Sequence, residues 1–280
     1  AAGVADLLGV EIRWCDPADP AAAVDDDTAL LTLTHVDFRT GAMFDMAGVT
    51  AAAHAAGALV QWDLCHSVGA VPVDLTAAEA DLAVGCTYKY LNGGPGSPAF
   101  TWVAPRLQGE LRQPVTGWMG HATPFAMSRD YVPAPGIRQW ASGTHPVLAL
   151  SALDAALDAF EGVEPADLRR ASLSLTDFFL RLLEARLPHL EVITPREHDR
   201  RGSQVSFQHD HAYGLVQALI ARGVVGDYRD DGENPGIARF GFTPLYLRHV
   251  DVYDAVEHLC AVLDAEEHLD PSYSRRNAVT

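Results

Sequence analysis

Of the 20 basic residues in this 280-residue chain, nineteen are arginine and one is lysine, Lys89. The two types differ in chemistry: an amine can lose its proton and attack a carbonyl, and a guanidinium effectively cannot. Lys89 stands in the run Cys86-Thr87-Tyr88-Lys89-Tyr90-Leu91-Asn92-Gly93-Gly94-Pro95-Gly96, three residues past the short apolar stretch 82–86. The Gly/Pro-rich turn behind it lets backbone approach closely and leaves the amine room to swing. A second apolar stretch, 58–62, ends on Asp63-Leu64-Cys65-His66. If the two stretches are neighbouring strands, a carboxylate and an amine face one crevice. That pair suits pyridoxal phosphate, which needs a lysine amine for its Schiff base and an acidic partner that keeps its pyridine nitrogen protonated. Asp63 would hold that nitrogen. His66 could orient Asp63 or pack on the ring, and Tyr88 and Thr34 could hydrogen-bond the phosphate or the ring oxygen. Each residue also has a plainer reading: Lys89 as a surface amine, Asp63 as a strand-end turn carboxylate, His66 as a satisfied buried imidazole, Tyr88 and Thr34 as a polar lid. Coincidence with the only lysine favours the chemical reading for Asp63 and leaves both readings open for the others.

The elements that must position these groups follow from short apolar runs alternating with helical periodicity. Strands are expected at 10–14, 29–34, 58–62, 82–86 and 99–103, with a helix capped by Asp45, running to about Ala56 and stopped by Gly57. This pattern predicts an α/β fold with a mainly parallel sheet covered on both faces, and ligands just beyond the carboxyl ends of its strands. A long Gly- and Pro-rich stretch, 114–146, interrupts it and reads as a functional loop or linker. Helices follow at 147–160 and 166–187, then strands at 190–193 and 204–208, a helix at 213–222, strands at 224–227 and 237–242, and a helix at 250–268. We therefore expect a large domain over 1–160 and a smaller α+β domain over 161–280, with a frayed tail from Asp270. The opening Ala1 to Gly9 reads as the last turns of a helix without its N-cap, as if the chain began inside a larger protein.

Composition bounds the function. Asp+Glu outnumber Lys+Arg by 37 to 20, a net charge of −17, which disfavours a nucleic-acid backbone or an anionic membrane as partner. No apolar run approaches the roughly 20 residues of a membrane span, and no basic-then-apolar leader opens the sequence. Cys15, Cys65, Cys86 and Cys260 form no CxxC and have no metal-like spacing to histidine, so reduced thiols in a cytoplasmic protein without a metal are expected.

The runs Asp63-Leu64-Cys65-His66-Ser67-Val68-Gly69-Ala70 and Gly85 to Gly96 resemble the kynureninases, which are fold-type-I (aspartate aminotransferase-like) pyridoxal phosphate enzymes. The resemblance continues through Gly117-Trp118-Met119-Gly120-His121, Ala141-Ser142-Gly143-Thr144 and Arg239-Phe240-Gly241-Phe242-Thr243-Pro244-Leu245-Tyr246, so it covers nearly the whole chain. It implies that Lys89 carries the cofactor, Asp63 pairs with the pyridinium nitrogen, His66 sits beside the ring and Tyr88 reaches the phosphate. Trp118 and Thr144 match positions the family uses at the phosphate end, across a dimer interface, and Arg239 matches the arginine that grips the substrate α-carboxylate. A planar guanidinium suits that last role because it binds a carboxylate through two parallel hydrogen bonds. The implied activity is hydrolysis of L-kynurenine, or its 3-hydroxy form, to an anthranilate and L-alanine in tryptophan catabolism and NAD biosynthesis, by a homodimer. Family members also carry an N-terminal portion that supplies a phosphate-binding loop and a ring stacked on the cofactor. Neither precedes Thr34 in this sequence. Two rival readings are another fold-type-I enzyme, such as an aminotransferase or a cysteine desulfurase-like lyase, and a truncated, non-catalytic dimerisation module.

Overall fold

The structure, a computed structural model, describes residues 1–230 and 235–275. Four short strands form the first sheet: β1 (Leu30–Thr34), β2 (Leu59–Asp63), β3 (Leu82–Cys86) and β4 (Ala99–Val103), in that spatial order. β1, β2 and β3 run parallel and β4 closes the edge antiparallel to β3. Alternate residues of β2 face opposite sides of the sheet. Val60 and Trp62 are fully buried, and the Trp62 indole N–H donates to the Thr50 hydroxyl at 3.1 Å. Thr50 lies on the helix that covers this face. An earlier short helix, α1 (Ala2–Leu8), ends at Gly9 in the left-handed conformation (φ 67°), and the covering helix is α2 (Met46–Ala55). Asp45 caps α2, its carboxylate accepting from the Gly48 amide at 3.1 Å. Leu31, Met46, Ala53, Val60, Trp62 and Leu64 make one core. Asp81, just before β3, anchors the opposite end of the sheet: it pairs with His54 at 2.7 Å and Arg106 at 2.5 Å, and accepts from the Val60 amide at 2.8 Å.

The long stretch 114–146 contains three 3₁₀ turns, Trp118–Gly120, Pro124–Ala126 and Gly136–Trp140. Helices α3 (Val147–Leu157) and α4 (Pro165–Arg186) lead to a second, wholly antiparallel sheet. Its strands β5 (Glu191–Val192), β6 (Gln204–His209), β7 (Asp227–Arg229) and β8 (Gly236–Gly241) stand in the order β5-β6-β8-β7. Helix α4, with α5 (Ala212–Ala221) and α6 (His249–Asp264), covers it over a core in which Phe179 packs on Phe240 and Phe242, and Phe207 stacks on Phe240 at 5.8 Å.

The two sheets meet across the loop after β1. The Thr194 hydroxyl donates to the Thr40 carbonyl at 2.6 Å, the Gln204 amide to the Asp37 and Phe38 carbonyls at 3.2 Å, and the Met43 amide to the Arg200 carbonyl at 2.8 Å.

Four sequence expectations need correction. Residues 10–14 form no strand: Trp14 is 91% exposed, and Arg13 instead reaches Asp25 and Thr28 through side-chain hydrogen bonds. An extended run becomes a strand only when its backbone finds a partner edge. The strand expected at 224–227 begins at Asp227, because a tight turn, Gly226 amide to Val224 carbonyl at 3.2 Å, occupies its first residues. The last helix stops at Asp264, where Glu266 turns left-handed (φ 54°), and a 3₁₀ turn, Glu267–Leu269, follows. The expected frayed tail begins instead with a helical turn, Pro271–Ser274, and its end at 276–280 lies outside the described residues. Among the described residues no helix is long and apolar enough to cross a membrane.

Asp81 generates a stability prediction. Replacing it with alanine strands a buried amide and leaves Arg106 and His54 without their partner, so unfolding in urea should show a loss of about 2–3 kcal/mol. A change within about 0.5 kcal/mol would contradict the anchoring role.

Candidate active site

The parallel register sets the site. Thr34 on β1 pairs with Asp63 on β2, and Asp63 pairs with Val84 on β3, so the carboxyl ends of three strands open on one edge. Asp63 is the last residue of β2, and one of its oxygens accepts from the Cys65 amide at 2.8 Å. That bond turns the chain sharply and carries His66 back over the strand ends. Beyond β3 the chain turns again: the Gly93 amide returns to the Thr87 carbonyl at 2.9 Å, and Thr87 hydroxyl bonds to Ser97 and Pro98 at 2.5 Å hold the loop closed. Lys89 stands on this turn. Its amine lies 5.5 Å from the centroid of the Tyr88 ring and makes no hydrogen bond or ion pair with any described residue.

His66 reports how closely these groups gather. Burial first, then the charges of Lys89 and Arg239, push its pKa down to about 3, with Asp63 acting in the opposite sense and Arg229 adding to the depression. The imidazole is therefore neutral at pH 7 and able to pack on a ring or bridge neutral donors. The Phe38 ring lies 6.4 Å from it. Cys65, beside Asp63, has its thiol pushed up to about 12 by burial and by its bond to Asp63, so it is no nucleophile. Tyr88 is half exposed, and its phenol, raised chiefly by the Cys86 thiol, stays protonated and can donate.

Arg239 comes from the second sheet. It lies on β8 with its side chain 11% exposed, donates to the Phe38 carbonyl at 2.6 Å and pairs with Asp227. Arg229 pairs with the same carboxylate at 2.7 Å. Burial, then the charge of Arg239, lowers the Arg229 pKa. Two guanidiniums sharing one carboxylate leave a local surplus of positive charge beside Lys89, which fits an anionic ligand.

Of the residues singled out from sequence, Asp63, His66, Tyr88, Lys89 and Arg239 gather at this edge, with Thr34 on the adjoining strand end. The Thr34 hydroxyl is engaged, donating to the Val36 carbonyl at 2.8 Å. Trp118 and Thr144 are on the long loop. Trp118 is 41% exposed and packs edge-on against Phe125 at 5.5 Å, and the Met119 amide bonds the Ser142 carbonyl at 3.2 Å, two residues before the exposed Thr144. No hydrogen bond or ring contact among the described residues links either to Asp63 or Lys89. Sequence reasoning passed over Phe38, Asp227 and Arg229. Only the pairing of β7 with β8, which sets Asp227 opposite Arg239, could have pointed to the ion pair.

A cavity of about 1020 Å³ opens nearby, between Pro17, His35, Arg39, Met43, Val73 and Arg200 among others, and shares none of its lining with Asp63 or Lys89. Its lining offers no amine opposite a carboxylate, so we place the chemistry at the strand ends. Among the described residues no group of three or more His, Cys, Asp or Glu is arranged to hold a metal ion.

The site residues fit pyridoxal phosphate. Lys89 has its amine uncommitted, Asp63 uses one oxygen in its hydrogen bond to the Cys65 amide, and His66, held neutral, lies within electrostatic reach of both.

Comparisons with known proteins bear on the whole chain. The family model described as the kynureninase C-terminal domain matches residues 168–259. A kynureninase from Burkholderia mallei is 55% identical over 267 residues, which are 95% of this chain and 63% of that protein. A kynureninase from Pseudomonas fluorescens is 50% identical over 285 residues, 100% of this chain and 68% of its own length. The chain thus spans about two thirds of the length of these relatives. Among solved structures, the apo cysteine desulfurase from Thermococcus onnurineus superposes with a TM-score of 0.74 at 18% identity, covering 96% of this chain and 68% of its own. A C-DES mutant with glycine covalently linked to its PLP cofactor gives a TM-score of 0.77 at 20% identity, covering 94% and 69%. At those identities the likeness establishes the fold: this is the fold-type-I architecture.

His66 makes the site pH-sensitive in a defined direction. Its folded value of about 3 lies below the ordinary 6.5, so the unfolded chain binds this proton more readily. Its contribution to stability is complete above pH 6.5 and is lost as the pH falls toward 3. His66→Gln should flatten the fall of urea-unfolding stability across that window; an unchanged acid limb would show that His66 is not held neutral.

Proposed function

The chain belongs to the kynureninase family, and from that premise we propose that it hydrolyses L-kynurenine, or its 3-hydroxy form, to an anthranilate and L-alanine with pyridoxal phosphate as cofactor. The observation that carries this reading is an uncommitted Lys89 amine at the strand end next to Asp63, with the Arg239–Arg229 pair within electrostatic reach of His66.

Each residue then has a task. Lys89 would hold the cofactor through its amine, Asp63 would hold the pyridine nitrogen in its protonated form, His66 would lie against the ring, and Tyr88 would donate to the phosphate, with Thr34 at the adjoining strand end. When bound, the cofactor supplies an electron sink for negative charge at the substrate α-carbon. Arg239 would take the α-carboxylate in a two-bond grip, with Asp227 and the Phe38 carbonyl fixing its plane. The Lys89 amine would also be the base that accepts the α-proton. Kynurenine and water together account for the atoms of both products, the Cβ–Cγ bond being the one broken.

We read 1–160 as the cofactor domain and 161–280 as the smaller domain that brings Arg239. A homodimer is supported by α3, an apolar helix with no buried residue, on which Val147 is 66% and Leu148 88% exposed. Trp118 and Thr144, which make no hydrogen bond or ring contact to Lys89 among the described residues, would serve the phosphate end of the partner's site. A cytoplasmic place in tryptophan catabolism and NAD biosynthesis follows from the proposed substrate and from four unpaired cysteines. No nucleic-acid or membrane partner is proposed.

The test uses the protein as its own gene encodes it. Incubation with pyridoxal phosphate and then borohydride should label Lys89, and kynurenine should be converted to anthranilate and alanine in equal amounts. Lys89→Ala should abolish the labelling, the cofactor absorbance and turnover. Unchanged turnover in that variant would refute the reading, and conversion of cysteine or a keto acid in place of kynurenine would reassign the substrate.

A further inference from the structure

Tyr90 follows Lys89 directly, yet its side chain points away from the strand ends and is 8% exposed. Its hydroxyl donates to the Ser203 carbonyl at 2.8 Å, across 113 positions of sequence. Ser203 is itself clamped. Its carbonyl also accepts from the Phe242 amide at 2.8 Å, its hydroxyl donates to the Phe242 carbonyl at 2.5 Å, and the Ser172 hydroxyl on α4 donates to it at 2.8 Å. Phe242 lies three residues beyond Arg239. On its other side the Tyr90 backbone rests on Gly69, six residues past Asp63, where an added Cβ would come within 2.8 Å of the Tyr90 carbonyl carbon and oxygen. Gly69 also has φ 89°, a conformation glycine adopts without strain. Through its backbone and its hydroxyl, Tyr90 therefore ties the turn after Asp63 and the turn that bears Lys89 to Ser203, which is bonded to Phe242 just beyond the strand that bears Arg239.

We infer that Tyr90 is a positioning residue, whose buried hydroxyl, donated to Ser203, sets the separation between the Lys89 amine and the Arg239 guanidinium and so the span of amino acid that fits between them. This rests on the roles given to Lys89 and Arg239 above. A ligand that engages one end alone does not sense the separation. An amino acid that must reach both ends does, because its second contact is made at an effective concentration that depends on distance.

Tyr90→Phe removes one hydrogen bond while leaving the Ser203 carbonyl satisfied by Phe242, so the fold should persist, as circular dichroism and the thermal midpoint will show. Three ligands then separate the possibilities. Pyridoxal phosphate, followed by absorbance, reads the Lys89 end. β-Benzoylpropionate, a keto carboxylate without the amine, reads the Arg239 end by calorimetry in the cofactor-free protein. Kynurenine reads both through kcat/KM. The expected result is a loss of about tenfold for kynurenine with the two single-ended ligands within about twofold of the unsubstituted protein. In an Arg239→Ala background, Tyr90→Phe should add nothing further. Three unchanged values, or three that fall together, would overturn the inference, the second outcome marking a general structural role. If Tyr90→Phe does not fold, Gly69→Ala presses on the Tyr90 backbone from the opposite side and must give the same two-ended pattern. Failure of the unsubstituted protein to convert kynurenine would refute the parent reading and is seen before any variant is compared.

Discussion

The parallel pairing of β1, β2 and β3 is the constraint on which the site depends. It aligns Thr34, Asp63 and Val84, and with them the turns that carry His66 and Lys89. The register is enforced from the opposite face. Trp62, fully buried against α2, and Asp63, at the open edge, are neighbours in sequence and point to opposite sides. A slip of one residue would drive a carboxylate into the core and an indole into water, so the packing of Trp62 also fixes the placement of Asp63.

Charge is arranged against the character of the whole chain. A protein with a formal charge of −17 gathers Lys89, Arg229 and Arg239 around one partly buried imidazole. Asp63 and Asp227 divide that positive charge into two places. Asp63 acts on His66 from the end of β2, and Asp227 orients two guanidiniums without cancelling both. Partial burial strengthens each of these interactions relative to open water. The neutral state of His66 follows first from its burial and then from the same crowding, since a further positive charge there would be opposed by three others.

The second sheet contributes by contact as well as by residues. The loop after β1 presents its Asp37, Phe38 and Thr40 carbonyls to Gln204, Arg239 and Thr194, so the end of β1 is held by side chains that arrive some 150 to 200 positions later in the chain. Phe38 serves both halves, its carbonyl holding Arg239 and its ring lying 6.4 Å from the His66 imidazole.

Much of this was legible in the residues themselves. A lone lysine after an apolar run, and an aspartate ending another, are chemical and local features, and the apolar runs at 29–34, 58–62, 82–86 and 99–103 match β1 to β4 nearly residue for residue. Arg239, flanked by buried Ile237, Ala238 and Phe240, was legible for the same reason. The tertiary structure alone decided that 10–14 finds no partner edge, that Asp227 holds Arg239, and that Tyr90 reaches Ser203. Side-chain chemistry, turn preference and periodicity are written within a few neighbours. An ion pair between strands or a hydrogen bond across 113 residues exists only once two distant segments have been brought to the same place by packing that neither encodes alone.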